Sequence, residues 1–151
     1  MLGYDIKAVV FDLDDTLINN SFNLTKLKKY LGTLKKKYKL ILFSNSSKKE
    51  TVRKLRFLNA DFDLVLARKN FFVRKPMKSV YFKILSKFKL KPNEVLAIGD
   101  KLYTDVLGAN RMGFISVWLK PAVLNSGNKF FKPFIKPNFV ISEIYDLKRY
   151  L

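Results

Sequence analysis

No cysteine and no histidine occur anywhere in the 151 residues. Their absence excludes disulfide scaffolds, thiol redox chemistry, zinc fingers and nucleophile systems built on Cys or a Ser–His pair. Any catalysis has to run on carboxylates, lysines, hydroxyls and a hard metal ion. Acids are scarce as well: 12 Asp and Glu face 30 Lys and Arg, a net charge of +18 with a pI near 10.1. That imbalance points to an anionic partner without choosing among a phosphorylated substrate, nucleic acid and an anionic lipid surface. Long hydrophobic runs are missing too. The apolar stretch 6–11 stops at Asp12, and no other stretch approaches 18 uninterrupted apolar residues, so neither a leader nor a transmembrane helix is expected. The expectation is an intracellular protein, soluble or peripheral.

What is present suits a packed fold. Hydrophobic residues make up 48% and aromatics 15%, enough for a real core in one domain over residues 1–151. Short runs rich in Val, Ile, Leu and Phe recur at 8–11, 40–43, 64–67, 95–98, 115–119 and 139–141, as strands buried on both faces would. Between them lie helical stripes: Leu24, Leu27, Leu31 and Leu34; Val52, Leu55 and Leu58; Val80, Ile84 and Phe88; and a weaker Val106, Ala109 and Met112. Ser46 and Ser47 are N-cap candidates for the second. Strand–helix–strand alternation predicts an α/β fold, a doubly wound, mostly parallel sheet of five or six strands with helices on both faces. Residues 120–137 predict a long irregular connection, followed by a last strand and a short helix over 143–151.

In such sheets ligands bind beyond the carboxyl ends of the strands. Asp12, Asp14, Asp15 and Thr16 follow the first run, Ser44 and Asn45 the second, and Gly99, Asp100 and Asp105 the fourth; Arg74, Lys75 and Pro76 lie between the last two. Five of the twelve carboxylates therefore gather at two strand ends. Two such charges 4 Å apart repel by about 4 kcal/mol at an effective dielectric near 20. A bound cation removes that cost, and all-oxygen ligation suits Mg²⁺. Turn formation is the plainer explanation for Asp15 alone.

Asp12-Leu-Asp14-Asp15-Thr16 after a hydrophobic strand, a run ending in Ser44-Asn45, Lys75-Pro76, and Gly99-Asp100 with Asp105 together resemble, in order, the four motifs of the haloacid dehalogenase (HAD) superfamily. The resemblance covers residues 6–119. It implies a phosphomonoester hydrolase with Asp12 as nucleophile, Asp14 as general acid and base, and Lys75 neutralising nucleophile and phosphate. It further implies Mg²⁺ held by Asp12, the main-chain carbonyl of Asp14, Asp100 and Asp105. Ser44, Asn45 and Thr16 form the substrate-side set, with Thr16 chiefly fixing its loop. A helix cap at Ser44, and Arg74 in place of Lys75, are the plain structural alternatives.

Only 31 residues separate Asp12 from Ser44 and 30 separate Ser44 from Lys75, which leaves no room for an inserted cap domain. Ala67-Arg68-Lys69, Arg74-Lys75-Pro76-Met77 and the string Thr104-Asp105-Val106-Leu107-Gly108-Ala109-Asn110-Arg111-Met112-Gly113 resemble the capless class IIIA branch that includes phosphatidylglycerophosphate (PGP) phosphatases. An anionic phospholipid substrate, and a cytoplasmic protein in peripheral contact with an anionic membrane, follow from that resemblance. The Phe/Lys-rich stretch 129–136 is the candidate membrane contact, with a loop packed onto the domain as the alternative. The tail 137–151 is similar to that of soluble HAD phosphatases, which keeps sugar or nucleotide phosphates as the alternative substrates. A nucleic-acid-binding protein on the same scaffold is the reading of another class, raised by the lysines of 26–39. No RNP-like aromatic motif, recognition-helix pattern or Gly-rich clamp supports it, and lysine excess also fits coding bias.

Overall fold

In the computed structural model, residues 3–18, 23–70 and 73–151 are described; Met1 and Leu2, where the leader reading begins, lie outside them. Six strands, β1 (Ala8–Phe11), β2 (Lys39–Ser47), β3 (Leu64–Arg68), β4 (Val95–Gly99), β5 (Ile115–Leu119) and β6 (Phe139–Ile141), form one sheet in the order β3-β2-β1-β4-β5-β6. All five pairings are parallel. The central strands β1, β4 and β5 are buried along their whole length. The edges differ from the expectation of strands buried on both faces. β3 and β6 are half-buried, with Val65 and Val140 exposed, because each has a neighbour on one side only.

Alternate residues of each strand serve opposite faces. Val9 and Phe11 of β1, with Leu40 and Leu42 of β2, pack beneath Leu27, Leu31 and Leu34 of helix α1 (Leu24–Lys35) and Leu58 of α2 (Lys48–Leu58). Ala8 and Val10, with Ile41 and Phe43, meet Val80, Tyr81 and Ile84 of α3 (Lys78–Phe88) and Ala109 and Met112 of α4 (Leu107–Met112). Burying one such Leu or Ile contributes about 1.5–3 kcal/mol. A one-residue register slip would turn every one of these side chains to the wrong layer.

Four local expectations change. Ser47 caps α2, accepting from Glu50 N at 3.3 Å, but Ser46 belongs to β2, whose pairing with β3 breaks register between Ser44 and Ser47. Thr51, not Val52, takes the buried position of α2, and its hydroxyl donates to the Ser46 carbonyl at 3.5 Å. Residues 120–137 are not all connection. Asn125 caps helix α5 (Ser126–Phe131), accepting from Asn128 N at 2.7 Å. The C-terminal helix is a 3-10 segment, Ile144–Arg149, whose Ile144 and Leu147 close the core layer above α1. Among the described residues no helix is long and apolar enough to cross a membrane.

Candidate active site

β1 ends at Phe11, so Asp12 is the first residue beyond the strand, and its N–H donates to the Ile98 carbonyl of β4 at 3.0 Å. That bond locks the Asp12 backbone to the neighbouring strand end. The chain then turns sharply: Asp15 has φ 63° and donates to the Ile18 carbonyl at 3.0 Å. Thr16, fully buried in this turn, donates to Asp12 Oδ2 at 3.3 Å. β4 delivers Gly99 and Asp100, and the wide helical turn Leu102–Val106 brings Asp105 back over Gly99. A side chain at 99 would overlap the Asp105 carboxylate, so this close approach requires glycine. Lys101 N donates to Asp105 Oδ2 at 3.0 Å.

Carboxylate oxygens of Asp12, Asp100 and Asp105 lie within 4.8 Å of one another, and all three residues are buried. Into this group reaches Lys75, itself 4% exposed, with Nζ at 2.5 Å from both Asp12 Oδ1 and Asp105 Oδ1. Burial pushes the Asp12 carboxyl up to about 7, against the pull of Lys75, and Asp105 and Asp100 add to the rise. Burial and the Asp105 charge likewise push Asp100 up to about 6. Burial alone would lower the Lys75 ammonium, but Asp105 and Asp12 outweigh it and hold it above the ordinary lysine value. Three buried carboxylates thus share one buried ammonium, and the pocket calls for further positive charge. Hard oxygen donors gathered this closely fit a divalent cation such as Mg²⁺.

The remaining residues of the motifs divide into those that face the opening and those that brace it. Asp14 is partly exposed; Lys54 of α2 forms an ion pair with its Oδ1, and Ser46 Oγ donates to its Oδ2 at 2.8 Å. Burial would raise Asp14, but the Lys54 and Ser46 hydrogen bonds outweigh it and hold the carboxyl below the usual range. Asn45 does not present its amide to the opening. Its Oδ1 accepts from Lys75 N at 2.8 Å and its Nδ2 donates to Lys75 O at 3.2 Å, so it splints the cis Lys75–Pro76 segment. Ser44 is fully buried, its Oγ accepting from Ser46 N at 3.0 Å, an arrangement that shapes the end of β2 without capping a helix.

Four contributors carry no signal of their own in the sequence. Lys54 is one basic residue among 30, and it meets Asp14 from α2, 40 positions along the chain. Lys101 lies 3.4 Å from Asp100 Oδ1 and 3.7 Å from Asp15 Oδ2. Trp118 Nε1 and Asn128 Nδ2 both donate to the Asp100 carbonyl, at 2.9 and 2.8 Å, and Asn128 Oδ1 accepts from Leu102 N at 2.9 Å. The loop that carries Asp100 is therefore held by β5 and α5. A groove of about 900 Å³ leads away from Asp100 between Asp15, Lys26, Lys120, Val123 and Tyr145.

Among the described residues, the interval from Asp12 to Ser44 holds α1 and most of β2, and that from Ser44 to Lys75 holds α2 and β3, with no cap. Glyceraldehyde 3-phosphate phosphatase from Pyrococcus furiosus is 42% identical over 48 residues, 32% of this chain and 20% of that protein. Probable phosphatase YqeG from Bacillus subtilis is 28% identical over 126 residues, 82% of this chain and 69% of that protein. The curated relatives are matched over shares of their own length that run from 20% to 69%. The fold is shared with the HAD hydrolase YfnB from Bacillus subtilis, described as bound to magnesium, at a TM-score of 0.77 and 15% identity over 97% of this chain and 98% of that one. Residues 2–124 match the family of mitochondrial PGP phosphatases. With four-fifths of its length inside that match, the chain belongs to the PGP phosphatase family of the HAD superfamily.

Proposed function

We propose that the chain is a Mg²⁺-dependent phosphomonoester hydrolase that works through an aspartyl-phosphate, with one catalytic unit spanning residues 1–151. The observation that carries this reading is Lys75 Nζ bridging Asp12 and Asp105, with Asp100 completing a buried group of three carboxylates. Asp12, Asp100 and Asp105, with the main-chain carbonyl of Asp14, would hold the cation, which when bound neutralises phosphate charge. Lys75 pulls against the burial that raises the Asp12 carboxyl and so favours its ionised form, orients it through Oδ1, and adds positive charge where the phosphate arrives. Thr16 restrains the other Asp12 oxygen.

The Asp12 carboxylate attacks phosphorus as the ester P–O bond breaks, and Asp14 gives its proton to the leaving oxygen. In the second half Asp14 takes a proton from water, the water oxygen bonds to phosphorus, and the bond to Asp12 breaks to release inorganic phosphate. The Lys54 pair favours the carboxylate form of Asp14, which suits the second half. The first half needs Asp14 protonated, so Lys54 has to turn from Asp14 toward the incoming dianion. Ser44 and Asn45 shape the phosphate pocket from below, through the turn at 44–46 and the Lys75 backbone.

The family match supports a phospholipid monoester, phosphatidylglycerophosphate, as substrate. The relative named for glyceraldehyde 3-phosphate supports soluble phosphates as the second reading. Phosphate release with and without Mg²⁺, from micellar phosphatidylglycerophosphate beside soluble phosphomonoesters, decides between them, with Asp12→Asn as the blank. Preference for the lipid upholds the first reading. Preference for a sugar or nucleotide phosphate replaces the substrate and keeps the mechanism. Release by Asp12→Asn removes the nucleophile assignment.

A further inference from the structure

Residues 120–136 carry four lysines, Lys120, Lys129, Lys132 and Lys136, and no carboxylate. Among the described residues none of the four lies in an ion pair. The same stretch exposes large apolar side chains: Val123 at 83%, Phe130 at 67% and Phe134 at 75%. The rings are joined. Tyr103 stacks on Phe131 at 4.8 Å between centroids, Phe131 meets Phe130 at 5.0 Å, and Phe130 meets Phe134 at 6.2 Å. Phe131 and Ile135 pack on Leu102, Val106 and Trp118, so the outer rings stand on a fixed base. The stretch is thus half anchored and half projecting.

Its place relative to the site is specific. Tyr103 sits two residues before Asp105, and Asn128 of α5 holds the Asp100 carbonyl. Lys120 and Val123 line the groove that leads from Asp100. An exposed apolar cluster rimmed by one sign of charge, at the mouth of a site, marks a docking face. A second copy of the chain is disfavoured there, because a two-fold contact would set the four lysines against the same four.

We infer that this face docks on an anionic phospholipid bilayer, with Phe130, Phe134 and Val123 in the headgroup–acyl boundary and the lysines against lipid phosphates. Docking there opens the Asp100 groove toward the headgroups. The inference deepens the lipid-phosphate reading and rests on it for its purpose, but it is measured without turnover.

The full chain is sedimented with vesicles of phosphatidylglycerol and phosphatidylcholine, and with vesicles of phosphatidylcholine alone. Binding to the anionic vesicles is expected to be at least about tenfold stronger and to weaken with salt. Phe130→Ser with Phe134→Ser should weaken it about tenfold. Lys129→Gln, Lys132→Gln and Lys136→Gln together should remove most of its salt dependence. All variants should keep wild-type hydrolysis of a water-soluble phosphomonoester and a wild-type thermal midpoint, since the substituted side chains lie at the surface. Equal binding to both vesicle types overturns the inference, as does undiminished binding by the Phe variant. So does a concentration-dependent dimer that the Phe variant abolishes, which would assign the face to self-association. Vesicle binding with no phosphate release from any monoester upholds docking and overturns the phosphatase reading.

Discussion

At the scale of single residues, the site is a contest between three carboxylates and one ammonium, and two substitutions read it from opposite sides. Asp12→Asn removes one buried acid and leaves Lys75 paired with Asp105 at 2.5 Å. Turnover should disappear, while metal-free stability should hold or rise by about 1 kcal/mol. Lys75→Met does the reverse, leaving the carboxylates without their internal counter-charge. It should cost about 3–5 kcal/mol in urea unfolding, with Mg²⁺ restoring more stability than it adds to the wild type. If the two variants shifted stability alike, the charge balance described for the site would be wrong.

At the scale of elements, what matters is how strand ends hold the loops. Gly99 terminates β4 under the Asp105 side chain, and a methyl group at 99 has to displace it. Gly99→Ala, although it adds no ligand and removes none, should weaken Mg²⁺ affinity by about tenfold or more, measured by metal titration of activity. Far from the site, Asp63 ties the starts of β2 and β3 together: its Oδ2 accepts from Leu40 N at 2.9 Å, and its N–H donates to the Leu40 carbonyl at 2.8 Å. Burial would raise this carboxyl, but the Leu40 N–H, Lys35 and Lys39 outweigh it and hold it below the ordinary aspartate value of 3.8. A depressed folded-state value adds stability that is complete above pH 3.8 and is lost as pH falls through the lower value. Asp63→Asn keeps an acceptor but cannot titrate. Its acid-unfolding curve should therefore be flatter below about pH 4, with a change of under about 1 kcal/mol at neutral pH.

At the scale of the whole molecule, the net charge of +18 surrounds a site that, on the proposed reading, has to attract a dianion. For a soluble phosphomonoester, KM should rise several-fold between about 50 and 500 mM salt with kcat nearly constant; the reverse pattern would separate the charge from substrate capture. The same scale separates what is legible in the sequence from what is not. Central strands such as 95–98 are legible because burial on both faces leaves an unbroken apolar run, and the acids at their ends mark the edge that carries the candidate site. Lys54, Asn128 and the bracing role of Asn45 are not, because each acts through a partner 26 to 40 positions away that only the folded sheet brings near. Helix α5 is hidden by its brevity and by a glycine within it, so its six residues read as a connection.

One of those hidden contacts bears on how far the structural support of the candidate site extends. Similarity to the family ends at residue 124, and every motif residue lies before that point. The Asp100 carbonyl and the Leu102 N–H nevertheless depend on Asn128, four residues further on. A chain trimmed to its region of similarity would keep every motif residue and lose the buried amide that holds the turn carrying Asp100. Trp118 alone would then restrain the Asp100 carbonyl, and the loop carrying Asp100 and Asp105 would be free to drift. Likeness and architecture therefore have different boundaries in this protein: a segment beyond the family match works as a keystone for the part inside it.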